Sequence, residues 1–121
     1  MNTANTSAQY YVIHAATELS LSDLYQAWQH LSQDEIIIDI RSPADYASAH
    51  VPGSRNIPYS SVIERCDELR KYHRVYFYCY GGQGSNQVAS KLVEMGFENI
   101  YYLGNAGMSD WQSAGHPVSR H

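Results

Sequence analysis

The sequence predicts an α/β fold, a three-layer domain with a mostly parallel central sheet flanked by helices. Three observations carry this. Strand-like and helix-like segments alternate along the chain, the order that βα units produce. Two segments, Glu35 to Ile40 and Val75 to Tyr78, are nearly continuous apolar runs, as strands buried on both faces must be. No internal repeat or low-complexity tract interrupts the alternation.

Tyr10 to Ile13 reads as a short first strand. Ser20 or Ser22 can cap a helix from about Leu21 to Leu31, where Leu21, Leu24, Tyr25, Trp28 and Leu31 share one helical face. The run Glu35 to Ile40 follows as a buried strand. Pro43 suits the first turn of a short helix. His50-Val51-Pro52-Gly53 signals a turn, and Ser54 to Ile57 reads as a short edge strand stopped by Pro58. Ser60 to Lys71 is polar and amphipathic, and is expected to be a helix near the surface. A strand from Arg74 to Cys79 leads into a glycine-rich loop. Next comes a helix from Asn86 to Met95, presenting Val88, Ala89, Leu92 and Met95 to the core and ended by Gly96. Asn99 to Leu103 is the last strand. Ala106 to Ala114, carrying Trp111, is the last helix.

At 121 residues the chain is one domain, able to bury roughly two thirds of its unfolded surface without disulfides or metals. Met1 to Gln9 is small and polar, expected as a flexible tail before a single domain over 10–121. It has neither the basic start nor the apolar core of a signal peptide. The net charge of −4, without a basic cluster, argues against nucleic-acid binding. Two cysteines, Cys66 and Cys79, are too few for a disulfide framework, and neither has a partner at metal-ligand spacing. A cytoplasmic location with reduced thiols is expected, with no membrane partner.

Cys79 concentrates the chemistry. It closes an apolar strand and opens Tyr80-Gly81-Gly82-Gln83-Gly84-Ser85. Gly81, Gly82 and Gly84 can take positive φ and turn successive N–H groups inward as an anion nest. The following helix adds the positive end of its dipole. Both favour a thiolate, so a depressed pKa is expected. Buried cysteines often serve only as packing, and a glycine-rich loop alone is a weak signal. The two together reverse that balance.

The chain resembles the rhodanese-like (sulfurtransferase) family from about residue 18 to 118. Asp39 to Tyr46, followed by Ala49 to Ile57, looks like that family's upstream signature. Cys79 with a loop ending at Ser85 looks like its active-site segment, and Gly107 to Trp111 with Gly115 to Val118 looks like its closing motif. The resemblance implies that Cys79 takes the outer sulfur of thiosulfate or a related donor, holds it as a persulfide, and passes it to cyanide or a thiol. Tyr80, Gly81, Gly82, Gln83, Gly84 and Ser85 would bind the substrate through their N–H groups. No metal or organic cofactor is implied; the partners are a small-molecule or protein sulfur donor and a thiol acceptor.

Many family members carry an arginine just before the loop-ending serine or threonine, and here that position is Gly84. Loss of one charge-assisted contact of about 1.5–3 kcal/mol weakens thiosulfate binding about ten- to a hundredfold. The resemblance to cysteine phosphatases fails at the sixth residue after Cys79, which is Ser85 where they have arginine to grip phosphate.

Asp39 and Arg41, at the end of a central strand, are expected to structure the pocket as a buried ion pair. Asp45 belongs to the same polar network or caps a turn. His50 is expected to hydrogen-bond backbone, Trp28 and Trp111 to fill the core, and Cys66 to be incidental. Tyr80 is expected at the entrance. A second reading, a non-catalytic binding or regulatory module on the same fold, draws on the missing arginine; the presence of Cys79 favours the enzyme.

Overall fold

Side chains of a strand point alternately to opposite faces, and the two central strands exploit this fully. Ile36, Ile38, Val75, Phe77 and Cys79 face one core; Ile37, Tyr76 and Tyr78 face another. The computed structural model describes residues 15–121. Its sheet has five strands, all parallel: β1 (Thr17–Leu19), β2 (Glu35–Asp39), β3 (Arg55–Asn56), β4 (Arg74–Tyr78) and β5 (Ile100–Leu103), in the order β1-β5-β4-β2-β3. The central pair is in register with Glu35 opposite Arg74 and Asp39 opposite Tyr78, so both strands end together at one edge.

Among the described residues, four α-helices complete the layers: α1 (Leu21–Gln29), α2 (Pro43–Ser48), α3 (Gln83–Glu94) and α4 (Met108–Ser113). Leu24 of α1 and Met108 and Trp111 of α4 pack on the Tyr76 and Tyr78 face. Val88, Ala89 and Leu92 of α3 pack on the Val75 and Phe77 face. Ser20 caps α1 in a reciprocal box with Asp23, and Ser42 caps α2, whose first residue is Pro43. Trp28 and Trp111 meet edge to face with ring centroids 5.8 Å apart. Each also donates its indole N–H to a backbone carbonyl, of Pro52 and Pro117 respectively.

Two expectations change, and a third cannot be compared. The expected strand at Tyr10 to Ile13 and the tail at Met1 to Gln9 lie outside the described residues. The first described strand is β1, which the sequence did not mark, a mostly exposed edge of three residues with little apolar signal. The segment expected as a surface helix from Ser60 to Lys71 forms two 3-10 turns, Tyr59–Ser61 and Cys66–Leu69. Its ion pairs, Arg65 with Glu68 and Arg70 with Asp67, are spaced by three residues, the repeat of a 3-10 helix. Val62, Cys66 and Leu69 are buried, so the segment contributes to the core beside α3. Finally, α3 starts three residues earlier than expected, at Gln83, which places Gly84 and Ser85 inside its first turn. No helix among the described residues is long and apolar enough to cross a membrane.

Candidate active site

Cys79 follows the last residue of β4, and its side chain continues the Val75 and Phe77 face toward the start of α3. It is 8% exposed, at the floor of a groove of about 530 Å³. The groove lies beyond the carboxyl ends of the parallel strands, where such sheets place their ligands. Ile40, Arg41, Ser42, Asp45 and Tyr59 form one wall, and Tyr80, Gly81, Gln83 and Gly84 the other.

The Gly82 N–H donates to Cys79 Sγ at 3.0 Å. Ser85 Oγ stands 3.6 Å from the same sulfur, and its hydroxyl is within reach of the Gly82 and Leu103 carbonyls at 3.1 and 3.0 Å. A hydroxyl rotor so placed can turn its hydrogen from those carbonyls to the sulfur when the sulfur is charged. Burial is the largest influence on the thiol and pushes its pKa up. The Ser85 hydroxyl and the N–H groups of Ser85, Gly82 and Gly81 together outweigh it, so the pKa lies below the ordinary thiol value.

The cradle differs in construction from the nest expected of three glycines. Gly82 alone of them has positive φ, at +105°, and it is the cap residue of α3. Gly84 is helical, and a Cβ built on it would meet Ile40, Tyr59 and Cys79 at 3.5 to 3.9 Å, ordinary contact distances. The thiolate is therefore held by the first turn of a helix aimed at the sulfur, with one glycine making the reversal into it.

Behind the loop, Asp39 and Arg41 form the expected buried pair. The Asp39 side chain is wholly buried and bonded to Arg41 Nη2 at 2.8 Å. Arg41 Nε and backbone N–H also donate to the carboxylate, and Nη2 donates to the Ala49 carbonyl at 2.5 Å. Tyr78 completes this network by donating to Asp39 Oδ2 at 2.6 Å, while its oxygen accepts the Val51 N–H. Burial first, and then the Asp39 charge, push the Tyr78 phenol well above its ordinary pKa, so it stays a donor.

Of the expected binding residues, Tyr80, Gly81, Gln83 and Gly84 line the groove, with Tyr80 68% exposed at its mouth. Gly82 and Ser85 are buried and touch the sulfur from below. His50 is buried, with Nδ1 2.7 Å from the Tyr46 carbonyl, and Cys66 sits in the core; neither lines the groove. Among the described residues, no cluster of histidine, cysteine or carboxylate side chains could hold a metal ion.

Two features carry little sequence signal. The loop is clamped from outside by residues 105–107: a Cβ at Gly107 would lie 1.8 Å from the Tyr80 carbonyl oxygen, and one at Gly82 would lie 2.7 Å from the Asn105 nitrogen. Met108 N–H donates to the Cys79 carbonyl at 3.0 Å. The glycine before α4 was visible in the sequence, but its contact with the distant Tyr80 carbonyl was not. The other is the opposite wall, where Ser42 and Asp45, within the stretch that resembles the upstream signature, are joined by Tyr59, whose place in the groove no local pattern marked.

The family model for the rhodanese-like domain matches residues 23–114. The thiosulfate sulfurtransferase GlpE of Pseudoalteromonas translucida is 34% identical over 82 residues, covering 68% of this chain and 77% of that protein. GlpE of Coxiella burnetii is 33% identical over 95 residues, covering 78% and 87%. Among solved structures, the rhodanese-like domain of the Anabaena protein Alr3790 superposes with a TM-score of 0.74 at 23% identity, covering 86% of this chain and 79% of that one.

Proposed function

Since the chain belongs to the rhodanese-like domain family, we propose that it is a sulfurtransferase working through a persulfide on Cys79. The observation that carries this reading is the convergence of donors on one sulfur at the groove floor. Gly82 N–H lies 3.0 Å from Sγ, with the Ser85 hydroxyl and the Ser85 and Gly81 N–H groups beside it.

In the first half-reaction the Cys79 thiolate attacks the outer, sulfane sulfur of the donor. A new S–S bond forms to Cys79, the donor's own bond to that sulfur breaks, and the leaving group departs with the electron pair: sulfite from thiosulfate, or a thiolate from a persulfide. In the second, a nucleophile such as cyanide or a thiolate takes the terminal sulfur, and Cys79 returns as thiolate. Negative charge moves between Sγ and the atom beyond it. The N–H groups of the α3 first turn are fixed before reaction and point at that charge, so they need no reorganisation. Arg41 and Asp39 hold the facing wall in place, and the naming of the GlpE relatives as thiosulfate sulfurtransferases supports the same chemistry.

The test is intact mass after exposure to thiosulfate or a persulfide, followed by thiocyanate formation with cyanide. Wild type should gain one sulfur and lose it to cyanide, and Cys79→Ser should do neither. A wild-type protein that takes no sulfur from any donor would leave only a binding module on this fold.

A further inference from the structure

The groove above Cys79 is poorly suited to a small dianion. Its lining holds one cation, Arg41, and one carboxylate, Asp45. Arg41 is committed: Asp39, wholly buried, lies 2.8 Å behind its Nη2, and the same nitrogen serves the Ala49 carbonyl. The attraction of Asp45 also reaches Arg41. One guanidinium therefore serves two carboxylates, Asp39 behind it and Asp45 in the lining, and no second cation stands among the described residues of the groove. Asp45 is exposed on α2, its backbone N–H is capped by Ser42, and it is one of the residues that line the groove, near enough for its charge to act on Arg41.

Size and polarity point the same way. A volume of about 530 Å³ falls among sites that hold organic ligands of many atoms, whereas thiosulfate has only five. Ile40, Tyr59 and Tyr80 give the walls apolar surface, and Tyr59 and Tyr80 are 47% and 68% exposed. Gly84 keeps the space open. Its backbone is ordinary helix and a Cβ would fit there without a clash, so the glycine is not demanded by conformation. Its lack of a side chain leaves the path between Ile40, Tyr59 and the sulfur unobstructed.

We propose that Asp45 and the open position at Gly84 make this groove select an organic persulfide, R–S–SH, whose carbon part is uncharged or cationic, over thiosulfate. This rests on the sulfurtransferase reading and names its donor class. The step balances without any further reagent. Cys79 thiolate bonds to the terminal sulfur of R–S–SH, the R–S to sulfur bond breaks, and RS⁻ leaves to be protonated by water. The product is the Cys79 persulfide. Along this path the R group lies against Ile40, Tyr59 and Tyr80, with any positive charge near Asp45.

The experiment measures the rate of Cys79 persulfide formation, by quenched intact mass, from three donors at low salt: cysteamine persulfide (cationic), 3-mercaptopropionate persulfide (anionic) and thiosulfate. In wild type the cationic donor should load faster than the anionic one, and both faster than thiosulfate. Asp45→Asn should shrink the cationic-to-anionic ratio by about five- to twentyfold, with the change fading at high ionic strength. Comparing variant with wild type cancels the intrinsic reactivities of the donors. Gly84→Leu, which fills the opening, should slow both organic persulfides more than thiosulfate.

A ratio unchanged by Asp45→Asn, or thiosulfate as the fastest wild-type donor, overturns the donor assignment while leaving the sulfurtransferase reading intact. Failure of all three donors to load wild type overturns both.

Discussion

Hydrogen-bond donors outweigh the desolvation of Cys79 and hold its pKa below the ordinary thiol value, and the Ser85 hydroxyl is the strongest of the contributions that lower it. A lowered pKa means that the thiolate persists to lower pH than in an unperturbed thiol. The rate of alkylation by iodoacetamide should therefore rise with pH through a midpoint below that of an ordinary cysteine thiol. Ser85→Ala leaves burial in place and deletes the hydroxyl, so the midpoint should move upward and sulfur loading at neutral pH should slow. An unchanged midpoint would remove Ser85 from the account. The placement of Cys79 between a strand end and a helix start was legible in the sequence because strand, glycine loop and helix adjoin it directly. The donors were legible only as a group. Which of them touch the sulfur depends on α3 starting at Gln83, and helix starts are poorly marked when glycine, not serine or aspartate, is the cap.

The strands and helices that the sequence marked most strongly, β2, β4 and α3, are also the ones that place the sulfur. Continuous apolar runs identify a strand covered on both faces, and Gly96 marks the end of α3. Less was legible where elements meet. The clamp of Gly107 on the Tyr80 carbonyl joins segments distant in sequence, and no local pattern reports it. Gly107→Ala cannot keep both backbones in place, and its expected cost is about 1–3 kcal/mol with displacement of the loop. Denaturant unfolding should show the loss of stability, and the Cys79 alkylation midpoint should rise as the cradle opens. The Asp39 and Arg41 pair ties β2 to the turn after α2 in the same way. Arg41→Met leaves a wholly buried carboxylate unpaired and should cost about 3–5 kcal/mol, whereas adding Asp39→Asn to that variant should recover a large part of it. A double variant as unstable as the single one would mean that the arginine acts through packing and its Ala49 contact instead.

On the scale of the whole molecule, the parallel sheet separates two cores that share only its strands. Leu24 is buried in the core with α1 and α4, and Leu92 in the core with α3 and the 3-10 turns. Only the second core supports the helix whose first turn holds the sulfur. Leu24→Ala and Leu92→Ala should each lower stability by about 2–5 kcal/mol. Their effects should add to within about 0.5 kcal/mol, because neither leucine packs in the other's cluster. Cys79 chemistry should distinguish them: under conditions where both variants remain folded, Leu92→Ala loosens α3 and raises the alkylation midpoint, while Leu24→Ala leaves it where it is in wild type. Equal shifts in both variants would mean that the sheet transmits packing changes from face to face, and that the cradle is held by the domain as a whole and not by the core on its own side.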